Sequence, residues 1–212
     1  MSSATMPKPA TRKAPLPRQI THGADAAARI LDAADELFYR EGARNVGIDA
    51  VVKLAGMNKM SLYRQFSSKD ELLRQYLLRR DDKFFGYFNA SVDKHPDDAR
   101  AALLQIFTDL ATRTSSPTYR GCPFVNVAVE FPDPRHFARV QIADNKHRLL
   151  GRLVALAKAA GAKKPTELAR SLGLLIEGAY TASQTYSAED KLLSALPGVA
   201  KLIVDAAIPV RD

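Results

Sequence analysis

A seven-residue stretch from Lys59 to Gln65 carries the side chains of this chain that are best suited to contact nucleic acid. An arginine such as Arg64 can bind guanine through two hydrogen bonds, and the hydroxyls of Ser61 and Tyr63 can reach phosphates or bases. The ammonium group of Lys59 adds a positive charge that phosphates attract. On a short exposed helix these groups would fit the major groove of DNA. The alternative is a helical hairpin whose polar side chains are simply solvated, and the spacing alone favours neither interpretation.

Two short helices joined by a turn must hold this stretch in place. Residues 48–55 have apolar side chains at helical spacing and stop at Gly56, and Asn58 can cap a second, amphipathic helix. Helices of this length are not stable alone, so they must pack on a neighbour. The segment that begins at Ala24 and stops at Gly42 has the apolar period of such a helix.

The rest of the chain also has helical periodicity. Ser68 followed by Asp70 and Glu71 is typical of a helix start, and that helix is expected to continue to about Asn89. Further helices are predicted over residues 97–113, 122–131, 134–160, 165–186 and 189–207, separated by segments that contain Pro, Gly or Ser. The sequence has no alternating strand pattern and no internal repeat. The predicted fold class is therefore all-α.

Positive charge is concentrated in two parts of the chain, whose net charge is +8. Residues 1–20 contain only basic charges, and residues 42–66 contain four basic residues against one acid. Such a distribution suits a polyanionic partner, although a modest surplus also serves solubility. Residues 1–22, rich in Pro, Ser and Thr, are predicted to be a disordered basic arm. Its basic residues either reach an adjacent minor groove or form a solubilising tail; they are Lys8, Arg12, Lys13 and Arg18.

Several other classes of protein and site are disfavoured. The uncharged stretches are shorter than the roughly 20 apolar residues that cross a bilayer, and prolines occupy the place of a signal-peptide core, so we expect a cytoplasmic protein. A single cysteine, Cys122, and four histidines without paired spacing predict no metal site and no cofactor. No catalytic arrangement can be assembled, which favours a protein that is not an enzyme. The alternatives are a helical-bundle enzyme with catalytic residues from distant positions, or a non-specific architectural DNA-binding protein.

Many positions over about residues 25–75 resemble the DNA-binding domain of the tetracycline-repressor (TetR) family. They are Arg29-Ile30-Leu31-Asp32-Ala33-Ala34, Leu37-Phe38, Glu41-Gly42, Ala55-Gly56-Met57, Leu62-Tyr63, Phe66 and Ser68-Lys69-Asp70-Glu71-Leu72. The resemblance implies a three-helix N-terminal helix-turn-helix domain over residues 23–70, and a helical effector-binding and dimerisation domain over residues 71–212. It also implies a repressor that binds a palindromic operator as a homodimer and is released by a small-molecule effector.

The same resemblance assigns DNA contacts to particular residues. The recognition helix would span about residues 58–64, with contacts to DNA from Lys59, Ser61, Tyr63 and Arg64. Lys69, at the start of the fourth helix, would bind a phosphate. Two positions depart from the family pattern. Gly47 stands where a Ser or Thr usually caps the second helix, so its phosphate contact is expected to be weaker or to come from the backbone N–H. Met60 stands where a small residue is usual, which concerns sequence specificity.

Two apolar stripes on the helix over residues 168–182 predict burial on two sides. One stripe contains Leu168, Leu172, Leu175 and Ala179, and the other contains Ala169, Gly173, Ile176 and Tyr180. One would face the core of the subunit and the other a second copy, so the last two long helices are the predicted dimer surface. Two-fold symmetry would present two recognition helices to successive major grooves. The alternative is one larger monomeric core.

An effector pocket is expected in the C-terminal half, where residues 121–130 resemble a segment found in one branch of the family. The predicted lining consists of Phe107, Leu110, Cys122, Phe124, Asn126, Glu130, Glu177 and Tyr180. In the alternative interpretation, the amide and the two carboxylates bind neighbouring backbone or arginines. Cys122 would be either a sensor thiol with a pKa lowered by a helix N-terminus or a small buried hydrophobe.

Overall fold

The computed structural model describes residues 23–209, and within this range the chain forms nine α-helices and no β-strand. The helices are α1 Gly23–Glu41, α2 Ile48–Ala55, α3 Lys59–Gln65, α4 Lys69–Val92, α5 Ala99–Thr114, α6 Pro123–Glu130, α7 Phe137–Ala159, α8 Pro165–Thr185 and α9 Leu196–Ala207. The predicted all-α class is confirmed. The predicted basic arm of residues 1–22 lies outside the described residues.

Helices α1, α2 and α3 form one packed unit at the N-terminal end. Ile30 and Phe38 of α1, Val51 of α2 and Leu62 of α3 are all buried and belong to one apolar core. Burying such side chains contributes about 1.5–3 kcal/mol each, which offsets the weakness of helices as short as α2 and α3. Phe66 is buried immediately after α3 and fixes the entry into α4.

The turn between α2 and α3 depends on Gly56, whose φ is +65°. Its backbone N–H binds the carbonyl oxygens at the end of α2, as the left-handed cap of a helix does. The guanidinium of Arg29 on α1 donates to the carbonyl of Ala55 at 2.8 Å, which ties α1 to the same turn. A Cβ at position 56 would strain the left-handed backbone, and it would lie 2.9 Å from that guanidinium, so Arg29 would have to shift.

Helix α4 links the N-terminal unit to the remaining helices without a break. It packs against α1 at its start and against α5 and α7 along its length. Its N-cap is Ser68, whose side chain accepts the N–H of Glu71, as the sequence predicts. The helix runs to Val92, three residues beyond the predicted end, because no Gly or Pro interrupts it there. The predicted domain boundary at residue 70 falls within its first turn.

The C-terminal helices pack as a bundle in which α5 contacts α7, α8 and α9, and α8 also contacts α7 and α9. The last predicted helix, residues 189–207, begins too early: α9 starts at Leu196. Pro197 lies in its first turn, where backbone N–H groups have no acceptor within the helix, so the lack of an N–H in proline costs no hydrogen bond. The preceding residues form two short 3-10 turns, Ala188–Asp190 and Leu192–Ala195.

The predicted division of α8 into an inner and an outer stripe is wrong. Leu172 of the first stripe and Ile176 and Tyr180 of the second are all buried within the same subunit. The two stripes are adjacent around the helix, so together they form one wide face against α5, α7 and α9. The apolar residue that does point outward is Leu174, which is 75% exposed.

Candidate nucleic-acid interface and ligand cavity

Helix α3 has a polar outer face, and it is fixed to the protein by its N-cap and by one buried side chain. Its N-cap Asn58 accepts the N–H of Ser61 at 2.8 Å, and Leu62 is completely buried beneath it. Because the inner face is held by Leu62, the side chains on the other positions must point away from the core. Tyr63 is 52% exposed and Met60 67% exposed, and Lys59 and Arg64 are also exposed. Ser61 is half-buried.

The cationic groups near α3 have weak partners within the protein. Lys59 forms an exposed ion pair with Asp49 at 2.9 Å, and the hydrogen bond to that carboxylate raises the pKa of Lys59. The Arg64 guanidinium lies 3.7 Å from the sulfur of Met60. Exposed ion pairs contribute little stability, so exchanging these partners for phosphate costs little.

Lys69 differs from the exposed cations Lys59 and Arg64 because it is partly buried. Its ammonium donates to the carbonyl oxygen of Arg44 at 3.0 Å. Desolvation lowers its pKa, opposed by the nearby carboxylates of Glu130 and Asp70. The lysine therefore braces the loop between α1 and α2 in addition to lying at the start of α4.

Gly47 caps α2 without any side-chain hydrogen bond, as its residue type dictates. Its φ of −86° is open to every residue type, and nothing lies within 4 Å of the place where a Cβ would stand. Neither backbone nor space therefore requires glycine here. The absence of a capping hydroxyl is a property of this sequence and not of its fold.

The carboxylate of Glu130, at the end of α6, binds the α1–α2 loop. It accepts the backbone N–H of Arg44 at 2.6 Å, while the Arg44 guanidinium donates to the carbonyl of Glu130 at 3.1 Å. Gly42, with φ +91°, permits this approach, because a Cβ would lie 3.2 Å from the carboxylate. This reciprocal contact, here called the α6 latch, joins the C-terminal helices to the N-terminal unit.

A cavity of about 300 Å³ lies between α1, α4, α5, α6 and α8. Of the predicted pocket residues, Cys122, Phe124 and Tyr180 line it. Leu110 lines a small neighbouring cavity together with Tyr180, and Phe107 is completely buried in the core. The structure thus brings together only part of the predicted set.

The three polar members of the predicted set lie elsewhere and already have partners. Asn126 and Glu130 line a separate cleft between α1 and α6, where Asn126 donates to the carbonyl of Arg120 at 2.8 Å. Glu177 is paired with Lys146 at 2.6 Å. This agrees with the alternative weighed from the sequence, that these groups satisfy backbone or cationic neighbours, although the cation is a lysine and not an arginine.

Sequence reasoning missed most of the residues that line the cavity. Arg80, Lys83, Phe84 and Tyr87 of α4 do so, together with Tyr39, Arg113 and Tyr119 from other segments. The α4 group follows the spacing i, i+3, i+4, i+7, so one helix face was recognisable from the sequence. Nothing in the sequence indicates that α1 would face it, and α5 contributes Arg113 in place of the predicted Phe107 and Leu110.

Cys122 is buried, and desolvation raises the pKa of its thiol. The Lys146 ammonium, 3.8 Å from the sulfur, only partly opposes this effect. The alternative of a sensor thiol with a lowered pKa is therefore disfavoured, because removal of water outweighs the effect of the helix N-terminus. Burial favours the alternative of a small apolar side chain.

Among the described residues, no group of three His, Cys, Asp or Glu side chains is arranged to hold a metal ion. No helix in the same range has both the length and the apolar character to cross a membrane.

Residues 30–76 match the family model described as "Bacterial regulatory proteins, tetR family". Among curated relatives, a transcriptional regulator of the helix-turn-helix type from Mycobacterium tuberculosis, MT1294, is 30% identical over 92 residues, which cover 43% of this chain and 46% of the relative. The transcriptional repressor ComR from Escherichia coli is 26% identical over 171 residues, covering 77% of this chain and 81% of ComR. The match to MT1294 thus spans about half the length of that relative.

Two solved structures are similar to this chain over nearly their whole length. SCO4454, a TetR-family regulator from Streptomyces coelicolor, superposes with a TM-score of 0.82 at 27% identity, covering 87% of this chain and 96% of SCO4454. The putative TetR regulator sav143 from Streptomyces avermitilis has a TM-score of 0.74 at 30% identity, covering 86% of this chain and 97% of sav143. The similarity therefore extends through the C-terminal helices as well as through the N-terminal unit.

Proposed function

Because this chain belongs to the tetR family of bacterial regulatory proteins, whose members regulate transcription, we propose that it is a repressor that binds a palindromic operator as a homodimer and is released by a small molecule. Residues 23–70 would bind DNA, and residues 71–212 would bind the effector and the second subunit. The observation that carries the proposal is the way α3 is held. The fully buried Leu62 and the N-cap Asn58 fix this short helix with its polar side chains pointing outward.

The DNA contacts proposed are those of the polar face of α3. Arg64 and Tyr63 would bind base edges, while Lys59 and Ser61 bind bases or phosphates at the groove edge. On binding, Lys59 would exchange Asp49 for a phosphate. Lys69 and the backbone N–H of Gly47 would bind phosphates at the N-termini of α4 and α2, where the helix dipoles favour an anion.

The dimer is proposed to form through the outward faces of α8 and α9. Leu174 of α8 and Leu202 of α9 are 75% and 71% exposed, and Val199 is also exposed. Gly178 is exposed on the same face of α8 as Leu174, which permits close approach of a second helix. An apolar face of this kind is stabilised when a second copy covers it.

Release by an effector is proposed to act through α4, since this helix joins the cavity to the N-terminal unit. Ligand binding would shift α4 and change the spacing of the two copies of α3, which lowers operator affinity. The relatives compared are transcriptional regulators. We propose accordingly that the chain is not an enzyme and acts in the cytoplasm, where operator DNA is found.

Selection of duplexes from a random library tests this function. We expect the purified protein to enrich a short palindrome whose half-sites lie about one helical turn, 10–10.5 base pairs, or a multiple apart. The Arg64→Ala variant should relax the preference at one base position in each half-site. Enrichment of no sequence would contradict the proposal and favour a non-specific architectural protein. Enrichment of a site without two-fold symmetry would contradict binding to a palindrome by a dimer.

A further inference from the structure

The cavity between α1, α4, α5, α6 and α8 has cationic but no acidic side chains in its lining. The cations are Arg80 and Lys83 of α4 and Arg113 of α5. Its volume of about 300 Å³ is at the lower end of the range for small-molecule sites, so the ligand must be compact.

The remaining walls are mostly aromatic. Six rings line the cavity: those of Tyr39, Phe84, Tyr87, Tyr119, Phe124 and Tyr180. The phenol oxygens of Tyr119 and Tyr180 have no hydrogen-bond partner among residues 23–209, whereas that of Tyr39 has two. Desolvation raises the pKa of both Tyr119 and Tyr180, so these phenols stay neutral and able to donate. A flat aromatic ligand fits such walls.

The positive charge in the cavity exceeds what the protein itself neutralises. Asp35 of α1 is shared by two cations, with Arg80 at 2.7 Å and Lys83 at 3.1 Å. The Arg113 guanidinium lies 4.7 Å from the centre of the Tyr87 ring and forms no ion pair with any described residue. The Arg80 side chain is 15% exposed and the Lys83 side chain 48% exposed, so an anion that enters beside them replaces part of the water that solvates these cations.

We propose that the effector of this protein is a compact aromatic carboxylate bound in this cavity, an inference that rests on the proposed function as a ligand-released repressor. The ring stacks among the six aromatic side chains, and the carboxylate lies between Arg113 and the Arg80–Lys83 pair. The free phenols of Tyr119 and Tyr180 donate to the same ligand.

The position of the cavity explains how such a ligand reaches the DNA-binding unit. Asp35 and Tyr39 belong to α1, and a ligand carboxylate competes with Asp35 for the same two cations. The Tyr39 hydroxyl donates to the carbonyl of Gly121 at 3.1 Å and accepts the N–H of Arg120 at 2.8 Å, just before α6. A ligand therefore acts on the contacts that fix α1 against both α4 and the start of α6.

Direct binding of 1-naphthoate and its neutral analogue 1-naphthamide tests the ligand class. The chain contains no tryptophan, so the fluorescence of the naphthalene ring can be followed without an indole background. We expect naphthoate to bind roughly tenfold or more tightly than naphthamide, because only the carboxylate gains charge-assisted hydrogen bonds. Benzoate and indole-3-acetate, measured by isothermal titration calorimetry, extend the panel.

The Arg113→Gln variant removes the cation that has no carboxylate partner, so the fold should persist. We expect it to weaken naphthoate binding by roughly tenfold and to leave naphthamide binding within about twofold. The matched control is Arg135→Gln, at an exposed position in the loop before α7 and outside the cavity. Circular dichroism of all three proteins confirms that the helices remain.

Three results would overturn the inference: no binding by any of the three carboxylates at millimolar concentration, equal affinity for naphthoate and naphthamide, or the same loss in both variants. A second assay separates this failure from failure of the proposed function. Saturating naphthoate should weaken binding to the selected duplex by about 5- to 150-fold, the usual range of allosteric coupling. A protein that binds naphthoate but no duplex refutes the repressor, while one that binds a palindrome but no carboxylate refutes only the ligand class.

Discussion

At the scale of single residues, the features that matter are set by burial and by available partners. Arg64 and Tyr63 are available to a ligand because the protein gives them only weak contacts, whereas Glu130 and Glu177 are occupied by the protein itself. Residue type alone does not tell whether a polar side chain is available to a ligand or already bound by the protein. The number of its hydrogen-bond and ion-pair partners within the fold makes this distinction.

Gly47→Ser tests the phosphate contact that glycine leaves to its backbone. A serine at the N-cap of α2 can accept a backbone N–H and offer its hydroxyl to a phosphate, and the open space at this position admits it. We expect the free energy of unfolding to rise by about a few tenths of a kcal/mol. Affinity for any duplex should also increase, as measured by fluorescence anisotropy.

Gly47→Ala is the matched control, since it adds a Cβ without an acceptor. Alanine is a poor N-cap, so this variant should be less stable than the parent and bind DNA no more tightly. If serine and alanine behaved alike in both assays, a hydroxyl at position 47 would make no contact with the phosphate.

Alkylation of Cys122 tests whether this thiol is a sensor. Because burial raises its pKa and removes it from solvent, iodoacetamide should react with the native protein roughly a hundredfold or more slowly than with the urea-unfolded chain. The native rate should increase only at a pH above the ordinary thiol range. A native rate equal to that of the unfolded chain would favour a sensor thiol instead.

At the scale of elements, the N-terminal helices follow from the sequence because local signals determine them. Gly56 ends α2, Asn58 begins α3 and Ser68 begins α4, as their residue types predict. Each of these signals acts over at most four residues, so no knowledge of the tertiary fold is needed.

The lining of the cavity could not be predicted from local signals in the sequence. Its walls come from five helices, and the positions of α1 and α5 around it depend on how the whole bundle packs. Periodicity identifies which residues share a helix face, but it does not identify the face of another helix against which they pack. The same limit explains the error on α8, where Ile176 and Tyr180 are buried within the subunit.

The α6 latch is the element-scale contact that we expect to matter for coupling. Glu130→Ala removes the acceptor for the backbone N–H of Arg44, which should lower the free energy of unfolding by about 1 kcal/mol. It should also reduce the effect of a bound effector on operator affinity, because α6 would no longer hold the α1–α2 loop. Urea denaturation and anisotropy with and without 1-naphthoate provide the two measurements.

The control for the latch is Glu36→Ala, which removes an exposed carboxylate paired with Arg40 on the same helix. Its stability should change by less than about 0.5 kcal/mol, and its response to ligand should not change. Equal effects in the two variants would mean that the contact between Glu130 and Arg44 contributes nothing specific.

At the scale of the whole molecule, the proposed function requires two copies of α3 at a fixed separation. The exposed leucines of α8 and α9 are the apolar surface proposed to provide this. We expect Leu174→Glu to convert the dimer to monomers in sedimentation velocity, because a carboxylate would be buried without a partner. Binding to a palindromic duplex should be lost with it.

Val129→Glu is the matched control for dimer formation, since Val129 is also 75% exposed but lies on α6. This variant should sediment as the parent protein does. A dimer that persists in Leu174→Glu, or dissociates equally in both variants, would place the subunit contact on another face.

The most direct test of the central claim is the ratio of affinities for the selected duplex and for a scrambled duplex of equal length and composition, measured over a series of salt concentrations. If the polar face of α3 enters the major groove, Arg64→Ala should lower the difference in binding free energy between the two duplexes by about 1–3 kcal/mol, whereas Arg135→Ala should leave it unchanged. Affinity for both duplexes should decrease steeply with salt in every variant. A ratio that Arg64→Ala leaves intact, or affinities that do not depend on salt, would contradict the account.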